Sequence, residues 1–231
     1  MPQKANSSTG TLYIVGTPLG NLEDISARAV KVLAGADLIA AEDTRCTGIL
    51  LKENDIRVPQ TSYHDHNKDQ KSKQLIKELL QGRQIALVTD AGMPGISDPG
   101  YVLVKDAIAA GVKVVPVPGP SAVTCALSIS GFPTDRFIFE GFLDRKSGKR
   151  RKQLEALKDE KRTLVFYESP HRLLKMLQDV EDTFGERRLC IARELTKKYE
   201  EILYLTTREA IIIFTNKNPK GEFTIVIEGS K

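Results

Sequence analysis

The sequence predicts an α/β protein of two domains, with a mainly parallel sheet in the first, a mixed sheet in the second and a ligand cleft between them. Short apolar runs alternate with helix-like amphipathic segments along the 231 residues, which is typical of strands joined by helical crossovers. A chain of this length can form two modest domains. The run PVPGP, Pro116–Pro120, interrupts the alternation and is the best candidate for a boundary. We therefore expect domains at 11–118 and 119–231, after a disordered tail at 1–10.

Strands and helices alternate strictly in the first domain. The run TLYIVG, Thr11–Gly16, predicts a strand, and the helix that follows has Asp24 as a plausible N-cap. Gly82 ends the amphipathic helix that precedes the fourth strand. The remaining expected strands are DLIAAED, TSYHD, QIALVTD and VKVVPVP, and the remaining expected helices are TRCTGILLKEN, KDQKSKQLIKELLQG and YVLVKDAIAAG.

The second domain mixes hairpin-like neighbours with helices, which predicts a mixed sheet. Ser121 is placed to cap its first helix, and Ser169 is placed to cap a helix that begins at Pro170. The segment TTREAIIIFTN is ambiguous, because Ile211–Ile213 favour a strand whereas the Thr-Arg-Glu start favours a helix cap. The expected strands are FIFEGFL, TLVFYES, RRLCIARE, EEILYL and EFTIVIEG, and the expected helices are SAVTCALSISG, KRRKQLEALK and PHRLLKMLQDVEDTFG.

The composition indicates an ordinary soluble protein of the cytoplasm. Hydrophobic residues make up 41% and charged residues 28% of the chain, and no apolar run approaches the span of a bilayer, so we expect no membrane partner. Cys46, Cys125 and Cys190 are few and far apart, which argues against a disulfide framework and favours a reducing compartment. His64 and His66 alternate in SYHDHN without a third ligand, so we expect no metal.

The most informative segment is TDAGMPGISDPGY, Thr89–Tyr101, which follows the apolar strand Ile85–Val88 and precedes a helix. Three glycines and two prolines fall within Gly92–Gly100. Glycines let the backbone approach a ligand closely, and prolines make a loop rigid. At the carboxyl end of a strand in an open α/β sheet, such a loop predicts a small-molecule pocket built from backbone groups. The alternative is a tight strand-to-helix turn that binds nothing.

Three further glycine- or proline-bearing turns lie at strand ends, in GTPLGN, PGPSA and PKGE. Several such turns fit a single cleft. None of them has the spacing of a P-loop or of a three-glycine dinucleotide fingerprint, and the chain has no nucleophile-elbow serine. The turns therefore fit a ligand that needs no strong charge neutralisation. S-adenosylmethionine (AdoMet), a cation with an adenosyl group, meets that description.

Polar side chains gather in AEDTR, FYESPHR and ARELTK, each at a strand end or just past one. Side chains of this kind could face the cleft and act on a substrate. The alternative is that they cap helices and form surface ion pairs, with Asp43 or Thr44 capping the next helix. The predicted catalytic residues are Asp43, Arg45, Glu194 and Lys197.

The segment DRKSGKRRK, Asp144–Lys152, places six basic residues in nine positions of a chain whose net charge is only +4. Such a cluster predicts contacts with RNA phosphates, and the alternative is a solvated loop. We expect the segment to be mobile in the free protein. The predicted RNA-binding residues are Arg145, Lys146, Lys149, Arg150, Arg151 and Lys152.

A series of longer motifs occurs in order along nearly the whole chain, from about Leu12 to Gly229: LYIVGTPLGNLEDIS, AEDTR, SYHDHN, TDAGMPGISDPG, VPGPSA, FEGFL, FYESPHR, ARELTK and KGEF. Together they resemble the bacterial small-subunit ribosomal RNA methyltransferases that act on a cytidine ribose 2′-oxygen, a family of the tetrapyrrole-methylase-like class of AdoMet-dependent enzymes. The resemblance implies in-line methyl transfer in the interdomain cleft, a homodimer, and small-subunit rRNA or the assembled small subunit as substrate. It implies that AdoMet is bound by Pro18, Gly92, Pro94, Ile96, Ser97, Ser121, Ala122, Leu143 and Gly221.

One position departs from the wider superfamily, because Met93 stands where an acid is common. Backbone contacts would then hold the ligand, or Asp90 or Asp98 would substitute. Within the superfamily, a carbon methylase of corrinoid or tetrapyrrole intermediates is the alternative activity. From a different class, the chain could be a non-catalytic RNA-binding or ribosome-assembly factor. The sequence does not rank the candidates for a general base, which are Glu42, Asp43, Glu194 and Lys197.

Overall fold

The computed structural model describes residues 9–217 and 219–230. The chain divides after Ser121 into two compact units, each with one five-stranded sheet, and this confirms the expected fold class of one parallel and one mixed α/β sheet. The predicted boundary after residue 118 stays a prediction. The predicted tail lies outside the described residues at positions 1–8, whereas Gly10 is buried and donates its backbone N–H to the Leu79 carbonyl at 2.7 Å.

The first unit alternates strands and helices as the periodicity predicted. Its strands are β1 (Thr11–Val15), β2 (Leu38–Ala41), β3 (Gln60–Ser62), β4 (Ile85–Val88) and β5 (Lys113–Val117). Its helices are α1 (Ala27–Ala34), α2 (Thr44–Glu53), α3 (Lys68–Leu80) and α4 (Gly100–Ala109). All strand pairs are parallel, in the order β3-β2-β4-β1-β5.

The two faces of this sheet carry separate apolar cores. Alternate residues of β1, β2 and β4 pack against Leu103 of α4 on one face and against Leu33 of α1 on the other. The chain therefore leaves the adjacent strands β1 and β4 towards opposite faces. In an open α/β sheet, such a switch point leaves a crevice at the carboxyl ends of the two strands, and ligands bind there.

The second unit is a mixed sheet with its helices on both faces. Its helices are α5 (Ala122–Ile129), α6 (Ser147–Glu155), α7 (Leu173–Phe184) and α8 (Thr207–Thr215). Its strands are β6 (Phe137–Phe142), β7 (Thr163–Glu168), β8 (Arg188–Arg193), β9 (Glu201–Thr206) and β10 (Phe223–Ile227). The order is β6-β7-β10-β8-β9, with β6 parallel to β7 and the other pairs antiparallel.

Two predicted helix starts are wrong. Asp24 ends a short 3-10 helix, and Ser26 caps α1 by accepting a hydrogen bond from the Ala29 N–H at 3.0 Å. Helix α7 begins at Leu173, because the Ser169 carbonyl closes a turn first, accepting from Arg172 and Leu173. In both cases a turn precedes the predicted helix.

The ambiguous segment after β9 is a helix. Thr206 accepts a hydrogen bond from the Glu209 N–H, and the Glu209 carboxylate accepts one from the Thr206 N–H, which is a complete capping box. Ala210 and Phe214 then turn into the core. Packing and capping together outweigh the β-branched propensity of the three isoleucines.

Two further properties bear on the class of site. Among the helices within residues 9–217 and 219–230, none combines the length and the apolar composition that a membrane span requires. Over the same stretch, no three or more His, Cys, Asp or Glu side chains group closely enough to hold a metal ion.

Candidate active site

Three loops of the first unit interlock through their backbones at the switch point. Thr17, after β1, and Gly92, after β4, exchange two backbone hydrogen bonds of 3.0 and 3.1 Å. A Cβ on Gly16 would lie 2.7 Å from the Cα of Gly119, in the turn after β5. Only glycine therefore permits this approach of the β1 and β5 turns. The three predicted ligand loops of this unit form one rigid assembly of main chain.

The loop after β4, Thr89–Gly100, is also braced by its own side chains. The Asp98 carboxylate accepts hydrogen bonds from the backbone N–H groups of Gly95 and Gly100, the shortest at 2.8 and 2.6 Å. Burial raises the pKa of Asp98, and these N–H bonds act against that rise. Asp98 thus shapes the loop from within, and its substitution for the acid that is absent at position 93 stays a prediction.

A polar network that the sequence did not predict holds the start of this loop. The buried Thr89 hydroxyl donates to the Glu42 carboxylate at 2.5 Å, and the buried Thr17 hydroxyl donates to the Thr89 carbonyl at 3.1 Å. At the other end, the buried Tyr63 hydroxyl donates to the Pro99 carbonyl at 3.2 Å. No local pattern indicated the roles of Thr17, Tyr63 and Thr89, because their hydrogen-bond acceptors lie 36 or more positions away in the sequence.

The predicted AdoMet residues of the first unit lie in these loops. Pro18, Gly92 and Pro94 are buried, whereas Ile96 is 49% exposed. Ser97 has a φ of +64°, which is rare for a residue other than glycine and is a mark of functional loops. The loop offers backbone and apolar surface instead of formal charge. It therefore fits an uncharged adenosyl group.

The predicted AdoMet residues of the second unit are less uniform. Leu143 has its side chain in the apolar core, so only its backbone could meet a ligand. Gly221 has a φ of +94°, and a Cβ there would lie 2.5 Å from the Glu194 side chain. Ala122 is the first residue of α5, and Ser121, which precedes it, belongs to the first unit.

Asp43 and Arg45 form a charged pair at the start of α2. Asp43 caps the helix by accepting from the Arg45 N–H at 2.8 Å, and the same carboxylate pairs with the Arg45 guanidinium at 2.6 Å. The Arg45 hydrogen bond lowers the pKa of Asp43 to about 2. A carboxylate of this pKa is a weak base, and the pair as a whole carries no net charge. The Arg45 guanidinium is its more exposed member, at 90% against 30% for Asp43.

Glu194 and Lys197 form a second charged pair, in the turn after β8. The Lys197 ammonium lies 3.0 Å from Glu194 and 3.0 Å from Glu222. Burial lowers the pKa of Lys197, but the hydrogen bonds to Glu222 and Glu194 outweigh it and leave the pKa raised. Burial raises the pKa of Glu194, but the bonds from Lys197 and the Glu222 N–H outweigh it and leave the pKa lowered. Both groups are therefore charged at neutral pH.

The turn that carries this pair holds unusual backbone. Glu194 and Thr196 have φ angles of +50° and +66°, and a β-branched threonine in this region is a true outlier. Such conformations persist where surrounding structure fixes them, and they cluster at active sites. The two charged pairs belong to different units, and their action on one hydroxyl stays a prediction.

The basic segment is not the mobile loop that was predicted. It becomes helix α6 at Ser147. Arg150 is buried and pairs with the buried Asp179, both side chains being 4% exposed. Arg151 pairs with Asp179 and Asp182 at 2.6 and 2.8 Å.

Arg150 is therefore wrongly predicted as a phosphate ligand, because it is buried against Asp179, 29 residues away. Arg151 is ion-paired but 54% exposed, and its contact with phosphate stays a prediction. The remaining predicted RNA ligands are exposed and have no ion pair among the residues described: Arg145, Lys146, Lys149 and Lys152.

The buried Arg150 and the half-buried Arg172 fix the turn between β6 and α6. Arg150 donates to the carbonyls of Asp144 and Arg145 at 3.3 Å. Arg172 donates to the Leu143 carbonyl and pairs with Glu168 at 3.3 Å. The carbonyls of three successive residues, 143 to 145, thus accept hydrogen bonds from two arginine side chains. Glu168 ends β7 and Arg172 precedes α7, so no helical spacing in FYESPHR indicated their pairing.

Comparison with known proteins identifies the class to which this fold and these loops belong. The family model described as Tetrapyrrole (Corrin/Porphyrin) Methylases matches residues 11–211. A solved uroporphyrin-III C-methyltransferase of Thermus thermophilus, described as complexed with S-adenosylhomocysteine, superposes with a TM-score of 0.66 at 18% identity, over 94% of this chain and 97% of that one. At that identity the likeness shows the fold alone.

Curated relatives narrow the family further. The protein named Ribosomal RNA small subunit methyltransferase I of Halalkalibacterium halodurans is 53% identical over 96% of this chain and 76% of its own length. The protein of the same name from Thermotoga maritima is 49% identical over 96% of this chain and all of its own length. The chain belongs to the tetrapyrrole methylase family and, within it, to the family of ribosomal RNA small-subunit methyltransferase I.

Proposed function

We propose that this chain transfers the methyl group of AdoMet to the ribose 2′-hydroxyl of a cytidine in small-subunit ribosomal RNA. The observation that carries the proposal is sequence identity. About half of all positions, across 96% of the chain, are identical to those of proteins named Ribosomal RNA small subunit methyltransferase I. The rigid backbone loops at the switch point of the first unit's sheet and the exposed cations of the basic segment support the same proposal. We also propose that the enzyme is a cytoplasmic homodimer, as the resemblance to the family implies.

In this proposal the first unit binds AdoMet through the loop after β4. Gly92–Ser97 supply backbone groups and the exposed apolar side chain of Ile96, and the Asp98, Thr89 and Tyr63 hydrogen bonds keep the loop in place before the ligand arrives. A preformed loop does not lose conformational freedom on binding. The contributions of Ser121, Ala122, Leu143 and Gly221 to the same pocket stay a prediction.

The catalytic demand is chiefly one of position. AdoMet, when bound, would supply a methyl group on a sulfonium, whose sulfur would leave as a neutral thioether, so little charge has to be stabilised. The proton of the ribose hydroxyl would pass to water. What this chain must do is hold the ribose hydroxyl in line with that methyl group. The pKa of Asp43 and of Glu194 is lowered and that of Lys197 is raised, which is the wrong direction for a base at neutral pH. We therefore assign Arg45 and Lys197 to holding the substrate as cations, and Asp43 and Glu194 to orienting them.

Replacing Asp43 by asparagine separates its two roles. Asparagine is as good an N-cap as aspartate, so α2 should persist while the charge that orients Arg45 is lost. We expect the single-turnover methylation rate to fall about tenfold, because a misplaced positioning group costs rate more than binding. Asp65→Asn removes a comparable surface partner, that of Lys68, and should leave the rate unchanged. A wild-type rate for Asp43→Asn would mean that Asp43 only caps the helix.

The basic segment is tested by the salt dependence of RNA binding. We expect the triple variant R145A/K146A/K149A to bind small-subunit RNA more weakly, with the slope of log affinity against log salt reduced by about 0.7–0.9 for each phosphate that is no longer neutralised. AdoMet affinity should not change. An unchanged slope would show that these three side chains are only solvated. The ion-paired Arg151 is the matched control, since Arg151→Ala should change the slope less.

The substrate class is tested by offering the purified enzyme tritiated AdoMet with three acceptors. These are small ribosomal subunits from a strain that lacks the protein, the same rRNA without proteins, and a porphyrinoid. We expect label in RNA from one or both of the first two and none in the porphyrinoid. Label in the porphyrinoid alone would identify a carbon methylase. AdoMet binding without transfer to any acceptor would favour an assembly factor.

A further inference from the structure

Phe142, at the end of β6, is an aromatic side chain that the packing of the second unit leaves 52% exposed. Its ring lies against Tyr167, with 5.5 Å between centroids, and Tyr167 packs in turn on Phe139 at 4.9 Å. A single exposed aromatic side chain is ordinary on a protein surface. Two independent features of the surrounding chain indicate that the Phe142 ring contacts a ligand.

The first feature is a bulge that sets the direction of Phe142. The register of β6 on β7 shifts between Phe139 and Gly141, so that Glu140 is an extra residue, and Gly141 has a φ of +64°. Without the bulge, strand alternation would place Phe142 on the core face of the sheet, with Phe166. With it, Phe142 pairs with Tyr167 on the other face. Bulges of this kind re-aim side chains next to functional sites.

The second feature is the charge that follows directly in the chain. Arg145, Lys146 and Lys149 are exposed, and no carboxylate among the residues described pairs with any of the three. The turn that carries the first two is fixed, because Arg172 and Arg150 hold its carbonyls. An exposed ring on a rigid strand end thus continues into a rigid cationic turn. Proteins that bind single-stranded RNA combine these same two elements, a stacking ring and a phosphate-binding track.

We propose that the ring of Phe142 stacks on an unpaired base of the RNA substrate, beside the nucleotides whose phosphates contact Arg145 and Lys146. The inference rests on the proposed function and specifies how its substrate is held. A second copy of the chain is a poorer occupant for this surface, because a twofold contact here would bring the unpaired cations of both copies together.

The test compares Phe142→Leu with Phe142→Trp. Leucine keeps the apolar surface but removes the π-face, whereas tryptophan keeps the π-face. We expect Phe142→Leu to weaken binding of a small-subunit rRNA fragment about tenfold to a hundredfold, the usual effect of losing one base–aromatic stack. AdoMet affinity and Tm should not change. Phe142→Trp should bind the RNA nearly as well as wild type. The natural chain has no tryptophan, so RNA should quench the fluorescence of this variant as a stacked base would.

Phe137→Leu is the matched control, since Phe137 begins the same strand and is 39% exposed. It should bind RNA as wild type does. Wild-type RNA affinity for Phe142→Leu, an equal loss in Phe137→Leu, or unchanged tryptophan fluorescence of Phe142→Trp at RNA saturation would each overturn the inference. So would a change in oligomeric state of Phe142→Leu at unaltered RNA affinity. If the proposed function itself were wrong, wild-type protein would neither bind nor methylate the RNA. That result differs from each of the outcomes above.

Discussion

Lys197→Met is expected to lower the single-turnover rate of methyl transfer about a hundredfold, the usual scale for loss of one well-placed polar group, while AdoMet affinity stays near wild type. The Lys197 ammonium is held between Glu194 and Glu222, 3.0 Å from each, in a turn with strained backbone. A charge fixed in this way orients a substrate oxygen without reorganising. Methionine keeps the apolar stem and removes the ammonium charge together with its two hydrogen bonds. Rapid-quench assays at saturating AdoMet measure the resulting loss of rate.

Lys197→Arg keeps the cation but changes its position. It should therefore recover part of the single-turnover rate that Lys197→Met loses. Lys198→Met is the matched control, since Lys198 is the adjacent cation, is exposed and lies over the Tyr199 ring instead of a carboxylate. It should keep the wild-type rate. An equal loss in both methionine variants, or none in Lys197→Met, would remove Lys197 from the mechanism.

The pH range over which this pair stays intact follows from the direction of the pKa shifts. Glu194 has a lowered pKa in the folded chain, so its contribution is present above the unfolded value of 4.5 and is lost as pH falls through the folded value. Lys197 has a raised pKa, so its contribution is present below 10.5 and is lost as pH rises through the folded value. Between those limits neither group titrates. Any pH dependence of the rate between about pH 6 and 9 should therefore survive in Lys197→Arg.

Gly95→Val is expected to weaken AdoMet binding about tenfold to a hundredfold in a protein that remains folded. Gly95 has a φ of +90°, where a β-branched residue is strained by about 1–3 kcal/mol. The loop can relieve that strain only by leaving the conformation that Asp98 braces, and about 1.4 kcal/mol is tenfold in affinity. Titration calorimetry gives the affinity, and a thermal melt gives the fold.

The control for backbone strain is Gly111→Val. Gly111 also belongs to the first unit and has a φ of +71°, but nothing lies within 4 Å of a Cβ placed there. It should show a similar fall in Tm and bind AdoMet as wild type does. If both valine variants bind AdoMet normally, the loop after β4 does not bind the ligand.

Most of the fold could be predicted because it depends on local pattern. Apolar runs such as Ile85–Val88 and the period of α3 identified strands and helices correctly. The errors lie where one capping residue competes with another, as with Asp24 and Ser26 at the start of α1. The segment of α8 stayed ambiguous because its isoleucines and its capping box favour different structures.

The site was predicted less completely, because its groups are placed by partners distant in sequence. The glycines of the loop after β4 were visible as spacing, but the function of Asp98 in bracing that loop depends on backbone geometry. Arg150 resembled one more cation in a basic run. Its burial against Asp179, 29 residues away, removes it from the surface, and no local pattern carries that information.

Transfer of the methyl group to a ribose oxygen of small-subunit rRNA is the activity proposed for this chain. The most direct test isolates this RNA after reaction with AdoMet carrying a labelled methyl group, digests it to nucleosides and identifies the labelled product by mass spectrometry. We expect label in 2′-O-methylcytidine alone, formed about a hundredfold more slowly by Lys197→Met at single turnover. Label in a base-methylated nucleoside, or in no nucleoside of an RNA that the enzyme binds, would contradict it.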